Sequence, residues 1–202
     1  LDRSGWIDVL ELEEVLREER GRVRLLALPH ASNVTGTILP VREMAELAHA
    51  AGALVLLDAA QTAGHLPLSV DELGIDLLAF TGHKGLLGPQ GTGGLWVREG
   101  LEVAPLLRGG TGGDSNLLDM PESYPDHLEA GTQNGPGMAG LAAGLEYLLE
   151  VGVPCLREKE LRLRSQLLDR LAKLPSVHIV SNTASDAVGI VTLLVDGWEP
   201  GR

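Results

Sequence analysis

Three largely apolar runs, each closed by polar residues, limit what this chain can fold into. Val23 to Leu28 leads into the polar turn Ala31-Ser32-Asn33-Val34-Thr35-Gly36. Ala53-Leu54-Val55-Leu56-Leu57 ends in Asp58, with Gln61 three residues on. Ile75-Asp76-Leu77-Leu78-Ala79-Phe80 runs into Thr81-Gly82-His83-Lys84-Gly85. Helical patterns separate them. Residues 8–19 carry an acidic outer face, Pro40 opens a segment to Ala51 that Gly52 stops, and a short helix fits 69–73. Buried strands alternating with helices predict an α/β fold with a mostly parallel sheet flanked by helices. Ligands of such sheets bind beyond the carboxyl ends of the strands, where Asn33, Asp58 and Lys84 fall.

Further along, Gly94 to Val97 predicts another short strand, and 108–135 is a long segment punctuated by glycine and proline. Segments of that length are functional or belong to an interface. Pro136 or Gly137 opens a helix to Glu150, a charged helix spans Pro154 to Lys173, and strands fit 177–180 and 188–195. The expected division is 1–150, part of a large ligand-binding domain, and 151–202, the start of a small α+β C-terminal domain. A first residue Leu1 already inside a helical pattern, and an end just past a strand, read as part of a longer protein.

Composition removes several function classes. A formal charge of −12 opposes a nucleic-acid surface, which needs clustered Lys and Arg. No stretch approaches the ~18 apolar residues of a membrane span. A single cysteine excludes an internal disulfide and fits a reducing compartment, so the expected location is cytoplasmic.

Of three lysines, Lys159 and Lys173 sit in charged helical sequence. Lys84 does not: a buried strand delivers it to a glycine-rich loop, and desolvation there would free its amine to act as a Schiff-base nucleophile. Pyridoxal phosphate chemistry needs such a lysine, a carboxylate for the pyridine nitrogen, donors for the phosphate and a polar group for the ring hydroxyl. Lys84, Asp58, the Thr81/His83 pair and Gln61 meet these demands in turn.

The motifs His30-Ala31-Ser32-Asn33-Val34-Thr35-Gly36, Asp58-Ala59-Ala60-Gln61, Thr81-Gly82-His83-Lys84 and Gly88-Pro89-Gln90-Gly91, in this order, resemble the class V aminotransferase family. Within it they are similar to the cysteine desulfurase and selenocysteine lyase branch. Leu107-Arg108-Gly109-Gly110-Thr111-Gly112 and Glu129-Ala130-Gly131-Thr132-Gln133-Asn134 also resemble that branch. The resemblance implies a fold-type I pyridoxal 5′-phosphate enzyme, a homodimer with its sites at the subunit interface. It implies an amino-acid substrate and, for a desulfurase, a sulfur-acceptor protein. By position, Lys84 would carry the cofactor, Asp58 would pair with its ring nitrogen and Gln61 with its hydroxyl. Thr81 and His83 would hold the phosphate, and Asn33 would face cofactor or substrate carboxylate. Thr132 would reach the phosphate of the other subunit's cofactor, bordered by the 108–113 loop.

The branch's ring-stacking histidine would precede Leu1, and its nucleophilic cysteine and carboxylate-binding arginine would follow Arg202. Cys155 matches neither the context nor the position of that cysteine and is expected to be structural. Three functions stay open: desulfurase, aminotransferase or other amino-acid lyase, and a non-catalytic relative. Elsewhere the blander readings hold. The histidines show no metal-ligand spacing, and the glycine clusters at 88–94 and 109–113 lack a nucleotide-binding Gly-Lys-Ser/Thr. His49, His65 and His178 read as surface or packing residues, His30 as ambiguous, and Arg157-Glu158-Lys159-Glu160 as a solvated helix face.

Overall fold

The structure, a computed structural model, describes residues 5–113, 117–183 and 186–199. Helix α1 (Val9–Glu18) starts where the Asp8 carboxylate accepts the Leu10 amide. Strand β1 (Leu25–Pro29) and helix α2 (Val41–Ala50) follow. In α2, Val41, Met44, Ala45 and Ala48 recur at helical spacing and are all buried, so one face of the helix seals the sheet. Gly52, at φ +83°, then reverses the chain into β2 (Leu54–Asp58), a conformation that excludes most side chains. Ser69 caps α3 (Val70–Leu73), and β3 (Leu77–Thr81) and β4 (Gly93–Val97) complete the main sheet.

The sheet order is β1-β2-β3-β4. The first three strands are parallel, as expected, with Pro29 opposite Asp58 and Asp58 opposite Ala79. Strand β4 runs antiparallel, Thr81 facing Gly93, because the short 82–92 loop returns the chain along β3 without a crossover. The core is aliphatic: Val55, Leu57, Met44, Val41 and Leu28 with Leu16 of α1.

One buried charge fastens the amino end of this sheet. Asp76 is fully buried; its Oδ2 accepts the Val55 amide at 2.7 Å and meets His49 Nε2 at 2.9 Å. Arg98 lies 3.1 Å from Oδ1, close enough to pair but not aligned as a hydrogen bond. His49, read as a surface or packing residue, is therefore a hydrogen-bond partner of a buried carboxyl group.

Helices α4 (Gly135–Val151) and α5 (Val153–Leu171) meet at 82°. Among the described residues no single helix is long and apolar enough to cross a membrane. Leu141 of α4 packs against Gly88, where a Cβ would collide with it, and a Cβ at Gly82 would strike the Thr92 hydroxyl. Gly88 thus seats the 82–92 loop against α4, and Gly93 and Gly94 let β4 lie close against Phe80 of β3. Strands β5 (Val177–Ile179) and β6 (Leu193–Val195) form a separate antiparallel pair. The strand expected over 188–195 is shorter because its first half serves another partner. Val188 donates to the Gly36 carbonyl at 2.8 Å and Ile38 to the Asp186 carbonyl at 3.1 Å.

The charged run in α5 is not a solvated face. Arg157 and Glu160 are 12% and 19% exposed, one turn apart on the inward side, whereas Glu158 and Lys159 face water.

Candidate active site

The three parallel strands end in register, and the chain that leaves each end builds one wall of a cleft. After β1, residues 31–38 form a tight turn. Ser32 Oγ accepts the amides of Val34 and Thr35 at 3.2 and 3.1 Å, Ala31 bridges to Ile38, and Gly36 takes φ +78°. Asn33 is exposed near its apex. After β2, the Asp58 Oδ1 accepts the Ala60 amide at 2.8 Å, which fixes the carboxylate on the turn that carries Gln61. After β3, Lys84 projects from the loop that α4 supports.

These residues meet. A cleft of about 590 Å3 is lined by Asn33, Asp58, Gln61 and Lys84, together with Ser32, Thr35 and apolar Ile7, Val34 and Leu39. That size lies within the ~300–1,000 Å3 of small-molecule sites. Thr81 and His83 do not line it; they pair with each other, Oγ1 to Nδ1 2.7 Å, at the end of β3 just before Lys84.

His30 sits behind the cleft rather than in it. It is 6% exposed, and its Nδ1 lies 3.0 Å from the Thr62 hydroxyl, itself buried. Burial lowers its pKa from 6.5 to about 4, so the ring packs neutral between the first two loops. The ambiguous histidine is thus a packing residue.

Other expectations need correction. Lys84 is exposed at the cleft, so the desolvation expected from its buried strand is not present in this chain alone. Cys155 is exposed in the first turn of α5, so it is not a core-packing residue, and it does not line the cleft. Thr132 is also exposed and outside the cleft of its own chain. It neighbours Gly131, whose amide donates to the Gly110 carbonyl at 2.7 Å and joins 129–132 to the 108–113 loop. That loop lines a second cleft of about 580 Å3 with residues 117–121. Among the described residues no three His, Cys, Asp or Glu side chains are placed to hold a metal.

The profile of the class-V aminotransferases matches residues 1–201. The chain belongs to the class-V aminotransferase family. It is 32% identical to a probable cysteine desulfurase of Methanothermobacter thermautotrophicus over 98% of its own length and 50% of the relative's. It is 35% identical to another of Halalkalibacterium halodurans, over 99% and 49%. Among solved structures, the apo cysteine desulfurase of Thermococcus onnurineus NA1 superposes with a TM-score of 0.88 at 34% identity, covering 99% of this chain and 50% of that one. The Escherichia coli cysteine desulfurase CsdA, as its S-sulfonic acid, gives 0.81 at 35% identity, over 93% and 47%. The chain spans about half the length of the curated relatives it matches. The architecture is accordingly fold-type I, mixed α/β with a small additional sheet.

Pyridoxal 5′-phosphate is the cofactor of class-V aminotransferases, and the residues present fit it. The cleft joins one amine, one fixed carboxylate and two side-chain amides, and a hydroxyl–imidazole pair immediately precedes the amine in sequence. The class-V motifs had pointed to those residues. Ser32 and Thr35 belong to the first class-V motif without a role implied by the resemblance, although hydroxyls in a turn after a strand were the available signal.

Proposed function

We propose that this chain is part of a pyridoxal phosphate enzyme that removes sulfur from L-cysteine. One observation carries the reading: Lys84, Asp58, Gln61 and Asn33, from three separate strand ends, line a single cleft. The likeness to cysteine desulfurases over nearly all of this chain supports the choice of substrate.

When bound, the cofactor supplies an electron sink for bonds at the amino-acid α-carbon. Lys84 Nζ would hold the cofactor and, once displaced, move a proton at that carbon. Asp58 would keep the ring nitrogen protonated, its geometry set by the Ala60 amide. Gln61 would bond the ring hydroxyl and Asn33 would orient the substrate. Thr81 and His83, already hydrogen-bonded to each other, would turn their remaining donor capacity to the phosphate.

The same reading makes the working unit a cytoplasmic homodimer with shared sites. Helix α4 supports the dimer: it buries Leu141 and Leu148 but leaves Met138, Leu145 and Leu149, which share one stripe, and Tyr147 exposed. The exposed 108–113 loop and Thr132 would then serve the neighbouring cleft, and a sulfur-acceptor protein would take the product sulfur. With a dithiol present to reduce the released sulfane sulfur, sulfide and alanine formed in equal amounts from cysteine by the full-length protein would support this function. Pyruvate with sulfide, or amino transfer to an oxo acid, would assign another lyase or an aminotransferase instead.

A further inference from the structure

Glu160 lies outside the cleft, yet it touches what supports two of the cleft walls. Its Oε2 is 3.1 Å from His65 Nδ1, across 95 positions of sequence, and its Oε1 accepts the Gly189 amide. Burial alone would raise its pKa. The His65 hydrogen bond and charge, the Gly189 amide and Arg157 outweigh burial and hold the carboxyl below its usual value.

Both contacts lead back to the cleft. His65 ends the turn that carries Asp58 and Gln61, and its ring lies against Gly85. A Cβ at Gly85 would collide with the Ala63 carbonyl and come within 2.8 Å of His65 Nε2, while a Cβ at Gly64 would strike the Gly85 carbonyl. Gly85 follows Lys84 directly. On the other side, Gly189 continues the segment whose Val188 amide bonds the Gly36 carbonyl behind the Asn33 turn. Arg157 reinforces this arm by donating to the Ala187 carbonyl at 2.6 Å.

We propose that Glu160 is a positioning residue for Lys84. Through His65 it clamps the turn on which Gly85 rests, and through Gly189 it holds the segment that backs the Asn33 turn. The importance of the clamp for function rests on the reading of Lys84 given above. The geometric coupling does not.

The test uses the full-length protein and compares Glu160→Ala, His65→Ala, the double variant, Glu160→Gln and, as a control, Asp196→Ala. Asp196, just past β6, pairs with His178 at 2.9 Å; both side chains are exposed, and this pair includes neither Glu160 nor His65. Hydrogen exchange is first measured without cofactor. Exchange over 82–87 should rise tenfold or more in Glu160→Ala and His65→Ala, and no further in the double variant. Exchange over the β1–β2 core should stay at the parent value. Glu160→Gln keeps an acceptor for Gly189 and a partner for His65, so its exchange over 82–87 should return to within about threefold of the parent. Asp196→Ala should leave 82–87 unchanged. Pyridoxal phosphate affinity, measured by fluorescence titration, should fall about tenfold in both alanine variants and recover in Glu160→Gln.

Unchanged exchange over 82–87 in both alanine variants overturns the coupling, as does a uniform rise over the whole chain. Altered exchange with unaltered cofactor affinity overturns the positioning role. A parent that binds no pyridoxal phosphate while the exchange coupling holds would overturn the functional reading and leave the clamp standing.

Discussion

Asp58, the last residue of β2, stands in register with Ala79 of β3, five residues before Lys84. Parallel pairing therefore sets the carboxylate and the amine on neighbouring loops at one end of the sheet. The Ala60 amide holds the carboxylate in place by a local bond that needs no other element.

That arrangement makes the Asp58 side chain separable from the fold. Asp58→Ala should leave thermal stability nearly unchanged, because the side chain is exposed. Loss of a hydrogen bond between charged groups costs about 1.5–3 kcal/mol, or roughly 10- to 150-fold in affinity. Fluorescence titration with pyridoxal phosphate should show weakening in that range. Affinity within twofold of the parent would mean that the ring nitrogen pairs elsewhere.

Gly85→Ala should damage the Lys84 loop rather than the core. The new Cβ would meet the Ala63 carbonyl and the His65 ring, and backbone cannot yield as a flexible side chain can. Overpacking costs typically about 1–3 kcal/mol, so the melting temperature should drop measurably. Cofactor affinity should fall with it. Gly100→Ala, with open space around it but φ +80°, should cost stability through backbone strain without touching cofactor binding.

His30 gives the fold an acid-side weakness. Its folded-state pKa of about 4 lies below the ordinary 6.5, so between these values the unfolded chain binds a proton that the folded chain refuses. Its contribution is fully present above pH 6.5 and is lost as pH falls through about 4, at most about 3 kcal/mol. Urea titrations across this window should show stability declining. His30→Gln, which keeps a hydrogen-bonding group toward Thr62 without a titrating ring, should flatten that decline.

Much of this was legible before any coordinates. Strand ends could be read because parallel strands are apolar runs that stop abruptly, and Asp58 and Lys84 mark two of those stops. The direction of β4 could not, since a five-residue apolar strand carries no sign of its partner's orientation. The inward turn of Arg157 and Glu160 was available from their spacing, three apart on one helix face with Glu158 and Lys159 on another. Reading the four as one solvated run missed that period. Nothing local could have joined His65 to Glu160, because only tertiary packing brings them together. Lys84's exposure was misjudged for a related reason: a buried strand says little about the loop that leaves it.

If Thr132 and the 108–113 loop serve a neighbouring cleft, two inactive variants should complement each other. Lys84→Ala is mixed with a chain carrying Thr132→Val and Gly110→Glu, the second change setting a carboxylate where the phosphate would be repelled. One site of each heterodimer then holds every lesion and the other holds none. Part of the activity should return on subunit exchange. Heterodimers that form without any activity, or an active full-length monomer, would refute shared sites.

The central claim is that Lys84 holds the cofactor. Borohydride reduction of the full-length protein loaded with pyridoxal phosphate, followed by peptide mapping, tests it most directly. The account predicts a single stable pyridoxyl group on Lys84 and none on the Lys84→Ala variant. Labelling of Lys159 or Lys173 in its place, or labelling of the parent and the Lys84→Ala variant alike, would contradict it.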